Sequence, residues 1–185
     1  VVGAFSPLNL IRRKIMKFLI FIFLFSCASV QSYSSSSAVS PSFDYSKTYK
    51  LAIIPLEKSE LVKKEDLNRI YETLSMEFIN TGKFRLIERK DIDKILNEQG
   101  FQYSGMVEPS QAVQFGKILG AELVAIYNVE SAEKEGDYYR LGIYLKLINV
   151  ENGEVMYYSR GRGEGFGKEF AIEDAVKNCL KGLKK

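Results

Sequence analysis

Residues 138–163 read YYRLGIYLKLINVENGEVMYYSRGRG, and this stretch decides the fold. Tyr139, Leu141, Ile143, Leu145 and Leu147 alternate with Arg140, Tyr144 and Lys146. A period of two places the first set on one face of a strand and the second on the other, which is the pattern of a half-buried β-strand. Asn152-Gly153 signals a hairpin, because a type I′ turn needs positive φ at both central residues and this pair tolerates it. Val155, Tyr157 and Ser159 continue the return strand. Upstream, Glu122–Glu130 has the content of another strand, linked through the short, charged Ser131–Asp137 segment SAEKEGD. Consecutive strands with short links form an antiparallel meander.

The amino-terminal half has a different grammar. Residues 51–56, LAIIPL, form a continuous apolar run, as expected of a strand buried on both faces, and Pro55 marks its end. A helix follows over Lys64–Asn80, with Leu67, Ile70, Tyr71, Leu74 and Phe78 in one stripe and Gly82 as its stop. Phe84–Ile87 reads as a short strand. Ile92, Ile95 and Leu96 mark the inner face of a second helix stopped by Gly100. Gln99–Glu108 has no period and reads as a loop. Pro109 opens a third helix that runs through Leu119 and ends at Gly120. The last helix spans Lys168–Leu183, with Phe170, Ile172, Ala175, Val176, Cys179 and Leu183 as its apolar positions. The predicted order is β-α-β-α-α-β-β-β-α. The fold class is α/β (α+β): a mixed sheet with helices packed on it and a carboxyl-terminal antiparallel meander, over residues 49–185.

Residues 1–26 read as a signal peptide. Arg12, Arg13, Lys14 and Lys17 precede the apolar run FLIFIFLF at 18–25. That run is far shorter than the roughly 20 residues a membrane-spanning helix needs. MKFLIFIFLFSC is a complete short signal in itself, which makes Met16 a candidate start. Leu24-Phe25-Ser26-Cys27 resembles a bacterial lipobox, although Phe25 is bulkier than the usual occupant. The resemblance implies diacylglycerol on the Cys27 thiol and cleavage that leaves Cys27 as the first mature residue. Ala28, by likeness to the enterobacterial sorting pattern, favours the outer membrane. Residues 27–48 then read as a disordered, serine-rich tether: Ser34–Ser37 is an unbroken serine run, and Pro41 interrupts regular structure. The competing reading of its second half is an extended arm packed through Tyr33, Phe43 and Tyr45.

Composition excludes several chemistries. The chain of 185 residues has no histidine, so no Ser-His-Asp or Cys-His pair and no imidazole metal ligand can exist. Cys27 and Cys179 have no metal-binding spacing, and Cys179, among Ala175, Val176 and Leu183, reads as a free core thiol. A net charge of +3 without a basic block gives no footprint for nucleic acid. Gly161-Arg162-Gly163-Glu164-Gly165-Phe166-Gly167 sits where phosphate loops sit, but it fits neither G-x-G-x-x-G nor the Gly-Lys-Ser/Thr of a P-loop. It reads as a flexible exit from the strand. Glu88-Arg89 and Glu98-Gln99, at the ends of the second helix, read as structural. No catalytic residue, cofactor site or metal site is expected. The residues singled out are Cys27 for lipidation and, as candidate partner contacts, the tyrosines Tyr138, Tyr144 and Tyr158.

The ordered series LAIIPL, TGKFRLIERKDIDKILNEQG, FGKILGAELVAIYNVE and LKLINVENGEVMYYSRGRGEG is similar to the CsgG family of curli production and transport lipoproteins. It is also similar to the related LpoB-type activators of penicillin-binding proteins. The resemblance covers about residues 49–183. Its most specific pieces are Gly82-Lys83-Phe84 with Glu88-Arg89, Leu96-Asn97-Glu98-Gln99, Leu119-Gly120-Ala121-Glu122 and the Val150–Glu154 turn. It implies an outer-membrane lipoprotein whose domain lies in the periplasm. Such a protein is not an enzyme and has no small-molecule substrate; it acts through envelope protein partners or as a homo-oligomer, in assembly, secretion or scaffolding. The alternative it implies is an activator or adaptor of a peptidoglycan synthase. Channel-forming relatives carry long amphipathic hairpins that assemble into a barrel. Here Ser131–Asp137 is short and charged, and Arg140 and Lys146 face outward, so this domain is not expected to span lipid.

Overall fold

The structure, a computed structural model, describes residues 35–55, 59–98 and 109–184, which belong to one compact unit. The expected signal peptide, Cys27, Tyr33 and the whole Gln99–Glu108 loop lie outside these residues. The elements are β1 (Ser36–Val39), β2 (Tyr49–Ile53), α1 (Lys64–Asn80), β3 (Phe84–Leu86), α2 (Arg89–Glu98), α3 (Pro109–Leu119), β4 (Leu123–Glu135), β5 (Tyr138–Asn149), β6 (Val155–Phe166) and α4 (Lys168–Leu180). A single 3-10 turn, Lys181–Leu183, follows α4. The sheet order is β1-β6-β5-β4-β2-β3. β2 runs parallel to β3 and β4, because α1 and the α2–α3 pair provide the crossovers that parallel strands need. The other pairings are antiparallel.

The apolar run at 51–54 is explained by cores on both faces of the sheet. Leu51 and Ile53 join Leu74, Phe78, Leu145, Tyr157 and Ala175 beneath α1 and α4. Ala52 and Ile54 join Ile92, Phe115, Val124 and Ile148 beneath α2 and α3. The predicted fold class and the predicted order of elements from β2 to α4 hold.

Four expectations are corrected. First, the serine-rich segment is not a free tether where it is described. Ser36–Val39 forms an edge strand on β6, with Ser36 opposite Arg160 and Val39 opposite Tyr157. Phe43 is 5% exposed and stacks near Tyr45, Tyr49 and Phe84 at 5.0, 5.3 and 6.4 Å between centroids. The Tyr45 hydroxyl donates to the Gly182 carbonyl at 3.0 Å. The ordered unit therefore begins before Tyr49, and the packed-arm reading holds for Phe43 and Tyr45. Second, Ser131–Glu135 is not a loop but the outer half of β4. The link to β5 is only Gly136-Asp137, where Gly136 has φ +60° and Asp137 does not, the sign pattern of a type II′ turn. Third, the β5–β6 turn is not type I′. Only Gly153 has positive φ (75°), while the Asn152 side chain accepts the Glu154 N–H at 2.9 Å. Fourth, Gly161, Gly163 and Gly165 are not a flexible exit but the regular end of β6. A Cβ on Gly161 or Gly163 would collide with the α4 backbone at Ala171, Ala175 or Cys179, so bare glycine lets the helix lie directly on the strand.

The arm at 35–47 is held partly by carboxylates. Glu154 accepts from the Ser40 and Ser42 hydroxyls at 2.5 and 3.0 Å, and these bonds hold its carboxyl below the ordinary glutamate range. Glu122 is lowered likewise, by Lys47 at 2.7 Å and the Lys50 N–H at 2.8 Å. A depressed folded-state pKa contributes stability above the ordinary value and loses it as pH falls through the lowered one. Acidification through and below the glutamate range is therefore expected to loosen β1 before the meander. Cross-strand NOEs between Ala38 and Tyr158 should fade while those between β4 and β5 persist. Simultaneous loss of both sets would contradict this.

Candidate contact surface

Alternation along β5 and β6 gives the sheet an open face beyond the cover of α2 and α3. Register pairs Lys146 with Tyr158 and Tyr144 with Arg160. Diagonal neighbours on one face are close enough for rings to meet. The Tyr144 and Tyr158 rings lie 6.5 Å apart, tilted by 31°. The Lys146 ammonium sits over both, 5.8 and 5.7 Å from their centroids, and Arg160 bridges to Glu130 at 3.2 Å. Both tyrosines and Lys146 are half-buried. The result is a firm plate of rings and cations whose polar tips stay in water, which suits protein contact.

Tyr138 belongs to a second cluster. It pairs with Phe166 across the strands, the rings meeting edge-on at 5.2 Å, and the Arg140 guanidinium lies 5.2 Å from the Tyr138 ring. Burial, then the neighbouring Glu164 carboxylate, raises the Tyr138 phenol above its ordinary range. Phe166 is 74% exposed and Phe170 66%. The Gly167 N–H donates to the Asp137 carbonyl at 3.0 Å, tying the start of α4 to the β4–β5 turn. Beside this cluster is a groove of about 220 Å³ walled by Leu61, Val62, Ile70, Tyr139, Leu141 and Ile172, with the Lys168–Asp66 pair at its rim, 3.0 Å apart.

Phe166 and the groove were not legible as site features, and Phe170 was expected to face inward. The buried stripe of α4 is Ala171, Ile172, Ala175, Val176, Cys179 and Leu180, and Phe170 falls just off it. Its exposure could have been read from that period. The candidate tyrosines do not form one patch: Tyr144 and Tyr158 meet, and Tyr138 lies at the far end of the hairpin.

Other side chains with reactive potential are committed to structure. Cys179 is fully buried, its thiol donates to the Ile143 carbonyl at 3.4 Å, and burial pushes it up to about 12. The Tyr157 hydroxyl donates to the Cys179 carbonyl at 2.5 Å. Arg89 donates to Asn68 at 3.0 Å and caps the Tyr71 ring at 4.6 Å, while Glu88 pairs with Lys90 at 2.8 Å. Glu98 lies 3.9 Å from Lys94. Among the described residues no group of Cys, Asp and Glu could hold a metal ion.

These features define a helix-covered α/β domain with surface aromatics and, among its described residues, no recognisable catalytic constellation. The chain belongs to the CsgG family: the family described as curli production assembly/transport component CsgG matches residues 16–134, more than half of the sequence. The PelC dodecamer from Paraburkholderia phytofirmans is similar in fold, with a TM-score of 0.51 and 15% identity over 82% of this chain and 96% of that one. Lipoprotein GNA1162 from Neisseria meningitidis gives a TM-score of 0.50 and 10% identity over 63% of this chain and 82% of that one. LpoB from E. coli gives 0.49 and 19% over 63% and 56%. Identities this low speak to the fold alone. No curated protein matches the sequence.

Proposed function

We propose that this is an outer-membrane lipoprotein of CsgG type, anchored through acylated Cys27, with its domain in the periplasm. It serves envelope assembly, secretion or scaffolding through protein contacts. The observation that carries this reading is the extent of the family match, which begins at Met16 and takes in the apolar run, Cys27 and the fold through most of β4. Contact through the Tyr144–Lys146–Tyr158 plate, with Tyr138 in a separate cluster, fits a domain whose described residues hold no recognisable catalytic constellation. A homo-oligomer is one such contact, and the dodecameric state of the PelC relative supports it.

The adaptor reading, LpoB-type activation of a peptidoglycan synthase, asks the domain to reach away from its anchor. β1 begins at Ser36, so the chain from Cys27 spans at most roughly 30 Å even fully extended. That short leash favours work at the anchoring membrane. The domain is also ill-suited to spanning lipid. One face of β5 is buried under helices at Leu141, Ile143, Leu145 and Leu147, and the other carries Arg140 and Lys146. A lipid-facing Arg or Lys near the midplane costs about 2–4 kcal/mol.

Cys27→Ser is expected to abolish metabolic palmitate labelling and to move the protein from the membrane to the soluble fraction. Tyr144→Ala with Tyr158→Ala should leave labelling intact and remove envelope crosslinks, including any between copies. Full labelling of the serine variant, or unchanged crosslinks in the tyrosine variant, would count against the reading.

A further inference from the structure

The direction of β1 and the placement of exposed aromatics point to the same end of the sheet. Ser36 lies opposite Arg160 and Val39 opposite Tyr157, and the Ser35 hydroxyl accepts the Arg162 N–H at 3.1 Å. The chain therefore enters β1 from the Gly163–Phe166 end and travels toward Val155. Strands rise roughly 3.3 Å per residue, so Phe166 stands only about 13 Å beyond the level of Arg162. Residues 28–35 are all that separate Cys27 from β1. The same end carries Phe166 and Phe170, the two most exposed of the large apolar side chains among the described residues, with Tyr138 against Phe166. Ile118, Val155 and Ile79 are also exposed, but they lie elsewhere on the fold.

We propose that this end of the sheet seats on the lipid surface that holds the anchor, with Phe166, Phe170 and Tyr138 in the headgroup zone. The proposal rests on lipidation of Cys27. Aromatic rings favour that zone, and peripheral apolar faces sink about 5–10 Å into it. The charges cited here lean acidic: Arg140 alone lies 3.7–3.8 Å from three carboxylates, Glu133, Glu135 and Glu164, while Lys168 pairs with Asp66. Seating therefore depends on the rings rather than on anionic lipid, and it survives salt that would screen surface charge. With the long strands upright on the membrane, the Tyr144–Tyr158 plate faces sideways, toward neighbours anchored in the same leaflet.

The chain contains no tryptophan, so a single introduced one reports its own surroundings. The full-length lipoprotein carrying Phe170→Trp, or Ile79→Trp as the opposite-end control, is reconstituted into phosphatidylcholine vesicles containing brominated phosphatidylcholine. Ile79 is 58% exposed near the end of α1 that leads into β3. The Phe170→Trp emission should shift to the blue and be mostly lost to the brominated chains, unchanged by high salt. The Ile79→Trp emission should be unaffected. Quenching of Ile79→Trp, or of neither variant while the protein still floats with vesicles, overturns the seating and leaves the anchor standing. A blue shift at Phe170→Trp without quenching means that protein, not lipid, covers this end, and also overturns it. Protein that stays behind when vesicles float, with no acyl mass on Cys27, overturns the anchor and the seating together.

Discussion

Gly163→Val is expected to unfold the domain or bring it close to unfolding. The Cβ of any residue here would overlap the Ala171 carbonyl and the Ala175 backbone nitrogen of α4. These are helix backbone atoms, which cannot rotate aside as a side-chain tip can. Relief requires α4 to lift from β6, which uncovers Ile172, Val176 and Leu180 from the larger core. Overpacking a core commonly costs about 1–3 kcal/mol, and a collision with fixed backbone belongs at or above the top of that range. Small domains have roughly 5–15 kcal/mol in total. Gly161→Ala should behave similarly, because its Cβ would strike the Ala175 carbonyl and the Cys179 backbone. Gly165→Ala should be milder, since the nearest atom is the Phe170 Cβ at 3.0 Å, a contact that a shift of a few tenths of an ångström relieves, against the overlaps of nearly an ångström at Gly161 and Gly163. Urea midpoints should therefore rank Gly165→Ala above Gly161→Ala, with Gly163→Val lowest. A Gly163→Val midpoint equal to that of the unsubstituted protein would mean that α4 does not sit on this strand.

That glycine row shows where sequence reading stops. Gly disfavours strands, so Gly161–Gly167 reads locally as an exit from β6. The reason for the glycines is on another element: Ala171, Ala175 and Cys179 repeat every four residues and bring the helix backbone against them. A spacing of two facing a spacing of four could have been noticed, but only once α4 was known to lie on β6. Strands β2 and β5 and helix α1 were legible because their side chains report burial directly, residue by residue. β1 was not. A short edge strand contributes backbone hydrogen bonds, and Ser36–Val39 buries little side chain, so composition alone marks it as tether. Phe43 and Tyr45 were the local signs that the segment packs. Among the site residues, the separate tyrosines were legible, as was their outward alternation at Tyr144. Their division between a mid-sheet plate and a far-end cluster was not, because it depends on the register with β6 and on the sharp turn at Gly136-Asp137.

Truncation at the amino side of the fold should also have a large effect. A fragment starting at Ser35 is expected to unfold as cooperatively as the longer chain, and a fragment starting at Tyr49 to be severely destabilised. The shorter fragment loses the β1–β6 ladder, in which each hydrogen bond contributes about 0.5–1.5 kcal/mol. It also loses Phe43, and removing a buried phenylalanine ring typically costs about 3–5 kcal/mol. The ring shields Tyr49 and Phe84, which sit where β2 meets the β3 edge. The same cut removes the Tyr45 hydroxyl from the Gly182 carbonyl and Lys47 from Glu122, so the turn after α4 and the start of β4 both lose a tie. Phe43→Ala in the full chain isolates the apolar share. At roughly 2–4 °C per kcal/mol for a domain of this size, it should lower Tm by about 10 °C. Equal melting of the two fragments would show that the arm packs without supporting the sheet. A large loss in the Tyr49 fragment with little change in Phe43→Ala would assign the support to the strand pairing, and make β1 the element through which any pull on the chain before Ser35 reaches the core.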